Sequence, residues 1–412
     1  MERRRTPKAA GSPPSPQGRR PIPHPDPIAT PNYLRLQAGV FALVSAAFLN
    51  IYITQPVLPV LQQEFAADMI RVSLTVSAVI LGIALANLPF GYLSDRWPIH
   101  PMILTGGVVV ALAGGVCAWT HSLWVLIGTR FIQGLFIPSL TTCLAAYLAK
   151  TLPGHRLNVV MGAYVSATVL GGLGGRLLGG WLHPPLHWRY AFVSAAVVTL
   201  LATVAALWAM PAAPRQAAPA RQSIGFPTLL RSWPLVRLFC CAAGSFAIFS
   251  SIFNYLPFRL AGPPFGFATE QTTLLYLVYV VGIFMGPIAG RISNRLGGGL
   301  TLIAGAAVLG SALVLVALPS VAAVVAGLLA VCAGFFTIHA AAVGALNRRL
   351  TSGQGRANAL YVLFYYTGGW IGITGAGLAY QRGGWPAVLL MGGGLLTIPI
   401  LAGLGEHRGE RR

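Results

Sequence analysis

The chain has 412 residues, 55% of them hydrophobic and only 9% charged, with a mean hydropathy of +0.70 and a formal net charge of +20. So apolar a composition leaves too little polar surface to cover a water-soluble fold, which excludes the ordinary soluble classes and points to a polytopic membrane protein. Crossing about 30 Å of hydrocarbon takes roughly 20 apolar residues, and only helices or closed barrels satisfy the backbone there; the apolar runs are long and continuous, so helices are expected.

Residues 1–32 differ in kind. They are rich in Pro, Ser and Gly and carry Arg3, Arg4, Arg5, Lys8, Arg19 and Arg20, which predicts a disordered basic tail held at an anionic cytosolic leaflet. No apolar stretch within them suits a secretory signal.

Twelve spans follow, at 36–61, 73–94, 101–119, 122–148, 157–182, 188–210, 235–258, 271–293, 300–318, 321–346, 357–380 and 386–404. The longest break, 211–234, carries Arg215, Arg221 and Arg231 and reads as a cytosolic linker between a six-helix bundle at 33–210 and a second at 235–404. A short cytosolic tail is expected at 405–412. On one side of the membrane the connections hold only Arg71, Arg189, Arg259 and Arg382, and Arg130 and Arg176 fall inside spans. All other basic residues lie on the opposite side, which the positive-inside rule makes cytosolic, with both termini. The charge is thus mostly topology. It is spread along short loops without an aromatic platform, so it argues against nucleic acid as a partner.

The halves repeat. Gly91-Tyr92-Leu93-Ser94-Asp95-Arg96, between spans two and three, returns as Gly290-Arg291-Ile292-Ser293-Asn294-Arg295 between spans eight and nine. Arg156-Leu157-Asn158 likewise returns as Arg356-Ala357-Asn358. Two similar halves of equal orientation predict a pseudo-twofold axis along the bilayer normal and a mid-depth cavity between them, opened to either side by rocking.

On these residues the chain resembles the major facilitator superfamily over essentially everything after residue 32. Gly91, Leu93, Asp95 and Arg96 match its loop pattern, although Pro98, Ile99 and His100 replace the Gly and basic pair that normally follow. The span-four pattern is intact as Arg130, Gln133 and Gly134. The span-five exporter pattern keeps Gly171, Gly175, Gly179 and Gly180, with Arg176 where proline is usual. Gln55-Pro56, Leu58-Pro59, Phe253-Asn254-Tyr255 and Tyr361 to Tyr366 resemble bacterial exporters of the drug:proton antiporter and arabinose-efflux-permease type. The resemblance implies an all-α membrane fold of twelve helices, alternating access, proton-coupled efflux and a bacterial inner membrane. An importer, a uniporter or a transporter-like solute sensor remains open.

Each candidate site residue has two readings. Asp95 could accept backbone N–H groups at the start of span eleven, around Ala357 and Asn358, as a latch, or merely mark a helix end. Gly91, Arg96, Gly290 and Arg295 share its loop positions and so its gating role. Arg130 and Arg176 lie at matching depth. A guanidinium inside a span costs at least about 2.5–3.5 kcal/mol, so both should face the bundle interior, lining a cavity or bonding backbone carbonyls. Gln55 comes to a similar level, with Asn50 and Tyr52 somewhat deeper, and Gln133 of the span-four pattern is a cavity candidate with them. None of the eight acids lies in mid-span, so the cavity should prefer neutral or anionic solutes such as sugars or organic acids.

For proton coupling the candidates are His339 in span ten, or Glu64 and Asp68 at the outer mouth; a lone intramembrane His also serves packing. Asn254, Tyr255, Tyr361, Tyr365 and Trp370 could line the cavity or simply pack. The span-five glycines suit close helix contact. Cys117, Cys143, Cys240, Cys241 and Cys332 sit in spans without metal spacing, so neither disulfide nor metal is expected. No catalytic or nucleotide motif appears, so no enzyme activity and no cofactor are expected. The partners expected are a small solute, protons and lipid, with the protein a monomer.

Overall fold

The computed structural model describes residues 30–211, 225–350 and 352–411, all helix and short connection without a strand among them. The expected tail before residue 30 and most of the expected linker, including Arg215 and Arg221, lie outside the described residues.

In the first half the spanning helices are α1 (Thr30–Tyr52), α3 (Met69–Leu93), α4 (Ile99–Trp119), α5 (Leu123–Thr151), α6 (Gly154–Trp181) and α7 (Arg189–Ala209), with the short α2 (Leu58–Glu64) after the first. A short α8 (Phe226–Arg231) leads into α9 (Trp233–Ala261). The next span is composite: α10 (Thr269–Leu275), a 3₁₀ turn at Tyr276–Val280, then α11 (Val281–Leu296). It is followed by α12 (Gly298–Leu315), α13 (Val321–Arg348), α14 (Gln354–Leu395) and α15 (Thr397–Glu410).

Ten stretches are long and apolar enough to cross a membrane, and Gln354–Glu410 is one of them. That stretch folds back at Gly383 and Gly384, whose backbone leaves the helical region; Gly384, at φ 63° and ψ −158°, is in a conformation essentially only glycine adopts. It therefore makes two passes. The 28-residue α6 is not among the ten but has the length for another, so the described residues are consistent with the expected twelve.

Helices α4, α7, α12 and α15 form the periphery and expose Leu112, Val204, Val314 and Leu401, as lipid-facing positions should. Within the first half α1 packs on α6 and α7, and α5 on α3 and α4; in the second, α9 packs on α14 and α12 on α13. The halves meet where α3 lies along α14 and where α6 meets α10 and the 3₁₀ turn.

The pseudo-symmetry extends to backbone contacts. A Cβ at Gly171 or Gly175 of α6 would collide with the carbonyls of Ser45 and Leu49 on α1, and one at Gly368 or Gly372 of α14 with those of Ala243 and Ala247 on α9. The same four-residue glycine step seals the equivalent helix pair in each half.

The last helix continues through residues the sequence assigns to a tail. Buried Glu406 takes Arg349 at 2.8 Å and Arg237 at 3.3 Å, and Glu410 accepts N–H groups from Gly298 at 2.7 Å and Gly299 at 3.3 Å. The second carboxylate caps the positive end of α12, so α15 ties α9, α12 and α13 together.

Candidate functional site

The seam between the halves is organised around Arg176, whose side chain is fully buried. Its Nε donates to Gln55 Oε1 at 2.7 Å and Nη1 to Gly172 O at 2.9 Å. Four rings surround the guanidinium carbon, Tyr52 at 4.0 Å, Tyr279 at 4.4 Å, Tyr276 at 5.4 Å and Phe253 at 5.6 Å. Tyr52 comes from α1, Phe253 from α9, and the other two from the 3₁₀ turn. That turn is why both tyrosines face the cation: side chains three apart are in line at three residues per turn. Ring faces attract a cation, but among the described residues no formal negative charge neutralises this one.

From Arg176 a chain of ring contacts crosses the second half. Tyr279 meets Phe249 at 5.6 Å, Phe249 stacks on Phe335 at 4.1 Å, and Phe335 stacks on His339 at 6.0 Å. Tyr361 Oη lies 3.0 Å from His339 Nδ1, and Tyr365 stacks on Phe246 at 3.8 Å while lying 5.3 Å from His339. The sequence candidates His339, Tyr361 and Tyr365 thus form one group, joined to Arg176 through phenylalanines that the sequence did not single out.

Arg130 has a different environment. Its guanidinium donates to Asn50 O at 2.6 Å, Ile51 O at 2.7 Å, Thr75 O at 2.9 Å and Gln133 Oε1 at 2.7 Å. The first two are among the last carbonyls of α1, which have no partner within their own helix, so Arg130 caps the negative end of α1 from α5. Gln133 Nε2 in turn donates to Val110 O at 3.0 Å, and Asn50 Nδ2 to Thr199 Oγ1 at 2.9 Å. Asn50, Arg130 and Gln133 therefore bind helices of the first half to one another. Tyr52 and Gln55 follow that cap directly along the chain, and Arg176 of α6 meets them at the seam.

Some polar atoms here have no protein partner. Asn254 is fully buried with neither side-chain atom bonded among the described residues, and Gln55 Nε2 and Ser77 Oγ are likewise without a partner among them. Tyr255 stacks on Tyr380 at 5.7 Å beside Gly377 of α14, where any Cβ would meet its ring. Trp370 is half-buried on α14.

At the end of the bundle that holds Asp95, this carboxylate pairs with Lys150 of α5 at 3.0 Å, inside its own half, rather than with the start of α14. Arg96 covers the Tyr92 ring at 4.1 Å. The bridge to α14 comes from Asn87, which accepts from Thr142 at 2.6 Å and donates to Ala359 O at 3.5 Å. Gly91 is half-buried, and Gly290 and Arg295 are exposed. Gly179 continues the α6 stripe against Ile53, whereas Gly180 meets Thr273 of α10 across the seam.

At the opposite end, Glu64 accepts from Trp188 and pairs with Arg189 at 2.6 Å. Burial pushes its carboxyl up, but those hydrogen bonds and the Arg189 and His187 charges together hold it below its ordinary value. Asp68 caps α3, accepting from Arg71 N at 2.8 Å.

Comparisons with known proteins agree with this architecture. The family profile described as Major Facilitator Superfamily matches residues 40–347. The chain is similar to the inner membrane transport protein YnfM of Escherichia coli strain K12, 27% identical over 98% of this chain and 99% of that one. It is similar also to the MFS-type transporter YybF of Bacillus subtilis strain 168, at 27% over 91% and 93%. Among solved structures it resembles an inward-facing bacterial homologue of the human lysosomal transporter Spinster (TM-score 0.72, 14% identity, 91% and 93% covered). The nucleoside transporter NupG gives a TM-score of 0.74 at 12% identity, with 91% and 99% covered.

Proposed function

Given that the chain belongs to the major facilitator superfamily, and is thus a multi-pass membrane transporter rather than an enzyme, we propose that it exports small neutral or anionic organic solutes by proton-coupled alternating access. The observation that carries this reading is Arg176: a buried cation reached by both halves and bonded, among the described residues, only to neutral groups, with no carboxylate of theirs against it. A charge so placed lowers the energy of an anion or a strong dipole entering the seam and repels a cation. The unpartnered atoms of Gln55, Asn254 and Ser77 supply neutral donors and acceptors beside it.

Alternating access follows from the seam. α6 packs on α10 and the 3₁₀ turn toward the Glu64 end and more sparingly on α11 toward the Asp95 end, so parting the first contact would open Arg176 toward the Glu64 side. His339 is the proton carrier in this scheme, its imidazole hydrogen-bonded to Tyr361 and linked to Arg176 by ring contacts that let protonation at one bias solute at the other. The site lies in a bacterial inner membrane with both termini cytosolic, in keeping with the basic residues at the Asp95 end. Purified protein in liposomes, given a panel of anionic, neutral and cationic solutes with pH gradients of either sign, tests all of this. Uptake of cations alone, or transport indifferent to the gradient, would overturn it.

A further inference from the structure

A second site stands apart from the seam, on the lipid-facing side of the second half. Where α14 turns back at Gly383 and Gly384, a crevice of about 1020 Å³ opens between α12 and the outgoing limb of α14, over the end of α9. Its floor and walls are apolar, and it is roomy because Gly393 and Gly394 present no side chain and a Cβ on either would meet nothing within 4 Å. Between Trp385 at the mouth and Gly393 in the depth the helix rises by about 12 Å at 1.5 Å per residue, most of the roughly 15 Å of hydrocarbon in one leaflet.

The mouth is cationic. Arg259, in the last turn of α9, lines the crevice; its Nη1 donates to Pro263 O at 3.0 Å, its guanidinium carbon lies 5.0 Å from the Phe265 ring, and its buried Nε has no partner among the described residues. Among the described residues no carboxylate pairs with it. Trp385 stands at the same level with Nε1 on Val316 O at 2.9 Å, in the manner of an interfacial aromatic.

We infer that this crevice is a binding site for an anionic phospholipid, one acyl chain lying along the glycine-floored groove and the phosphate taking the free N–H groups of Arg259. The assignment rests on charge and shape together. A planar guanidinium with unmet donors matches a phosphate in a way a zwitterion's outer ammonium offsets, and an apolar groove open to the bilayer and reaching down one leaflet matches a chain rather than a soluble anion. It does not depend on what the seam transports.

The test is native mass spectrometry of the full chain in detergent, offered equal amounts of phosphatidylglycerol and phosphatidylcholine. The parent should retain phosphatidylglycerol with about tenfold preference, the size of one charged hydrogen bond. Arg259→Gln should abolish the preference, Gly393→Leu should lose the bound lipid of both kinds, and Arg71→Gln, in the other half, should change neither. Millimolar inorganic phosphate should not displace the lipid. Equal retention of both lipids by the parent, a preference that survives Arg259→Gln, or displacement by phosphate alone would each overturn the assignment. Should Gly393→Leu not fold, the Arg259→Gln comparison and the phosphate competition still decide it.

Discussion

Arg176 and Tyr279 belong to opposite halves of the chain, and the guanidinium carbon of one lies 4.4 Å from the ring centroid of the other. The contact spans the seam, so the pair reports on both the charge and the position of the two halves. Replacing Arg176 with Gln should lower transport of anionic solutes at least about tenfold, since a hydrogen bond to a charged group contributes about 1.5–3 kcal/mol. Thermal stability should change little. Liposome flux beside a thermal melt in detergent checks it.

Arg130 should behave in the opposite way. Removing it leaves the carbonyls of Asn50 and Ile51, at the open end of α1, without their donor, at about 1–3 kcal/mol for each buried group left unsatisfied, while Thr75 O keeps its bond within α3. Arg130→Ala should therefore melt well below the parent, and the fraction that folds should keep the parent's solute preference.

Two neighbouring glycines separate packing from gating. At Gly179 a Cβ runs into the rigid Ile53 carbonyl within one half, and at Gly180 into the Thr273 side chain of the other. Gly179→Ala should destabilise the protein, by about 1–3 kcal/mol as overpacking does. Gly180→Val should instead disfavour closure at that end. A cysteine placed at Tyr276 should then react faster with a water-soluble thiol reagent than in the parent background.

If His339 carries the proton, His339→Gln keeps a hydrogen-bonding partner for Tyr361 but cannot titrate. Exchange of labelled solute across liposomes should persist while stimulation by a pH gradient disappears. Persistence of that stimulation would move coupling to Glu64 or Asp68.

Acidification offers a separate test at Glu64. Because its folded carboxyl is held below the ordinary value, its contribution to stability is present above the unfolded-state value and is lost as pH falls through the lowered one. The site is partly exposed, so the effect is local. Trp188 fluorescence should shift over that acid range, and Glu64→Gln should remove the shift.

Much of the architecture was legible in the sequence because spans, repeat and glycine spacing are one-dimensional signals. Gly171, Gly175 and Gly179 step by four along one face, and the structure puts all three on α1. The division of labour between the two arginines was not legible. Both sit at similar depth, and only the place where α1 ends decides that Arg130 meets open carbonyls while Arg176 meets rings. Nor do Tyr276 and Tyr279 announce themselves, since an α-helix would offset them by about 60° and the local tightening that brings them into line has no sequence mark. Asp95 shows a similar limit: its loop pattern suggested a reach to α14, whereas Lys150, in the last turn of α5, is the nearer counter-charge.

The glycine-sealed pairs of α1 with α6 and of α9 with α14 carry a mechanical implication. Backbone touching backbone leaves no soft side chain to deform, so neither pair has room to shear internally. Whatever displacement transport demands falls on interfaces made of side chains, and each sealed pair works as a stiff lever that conveys a small shift at one membrane face to the other.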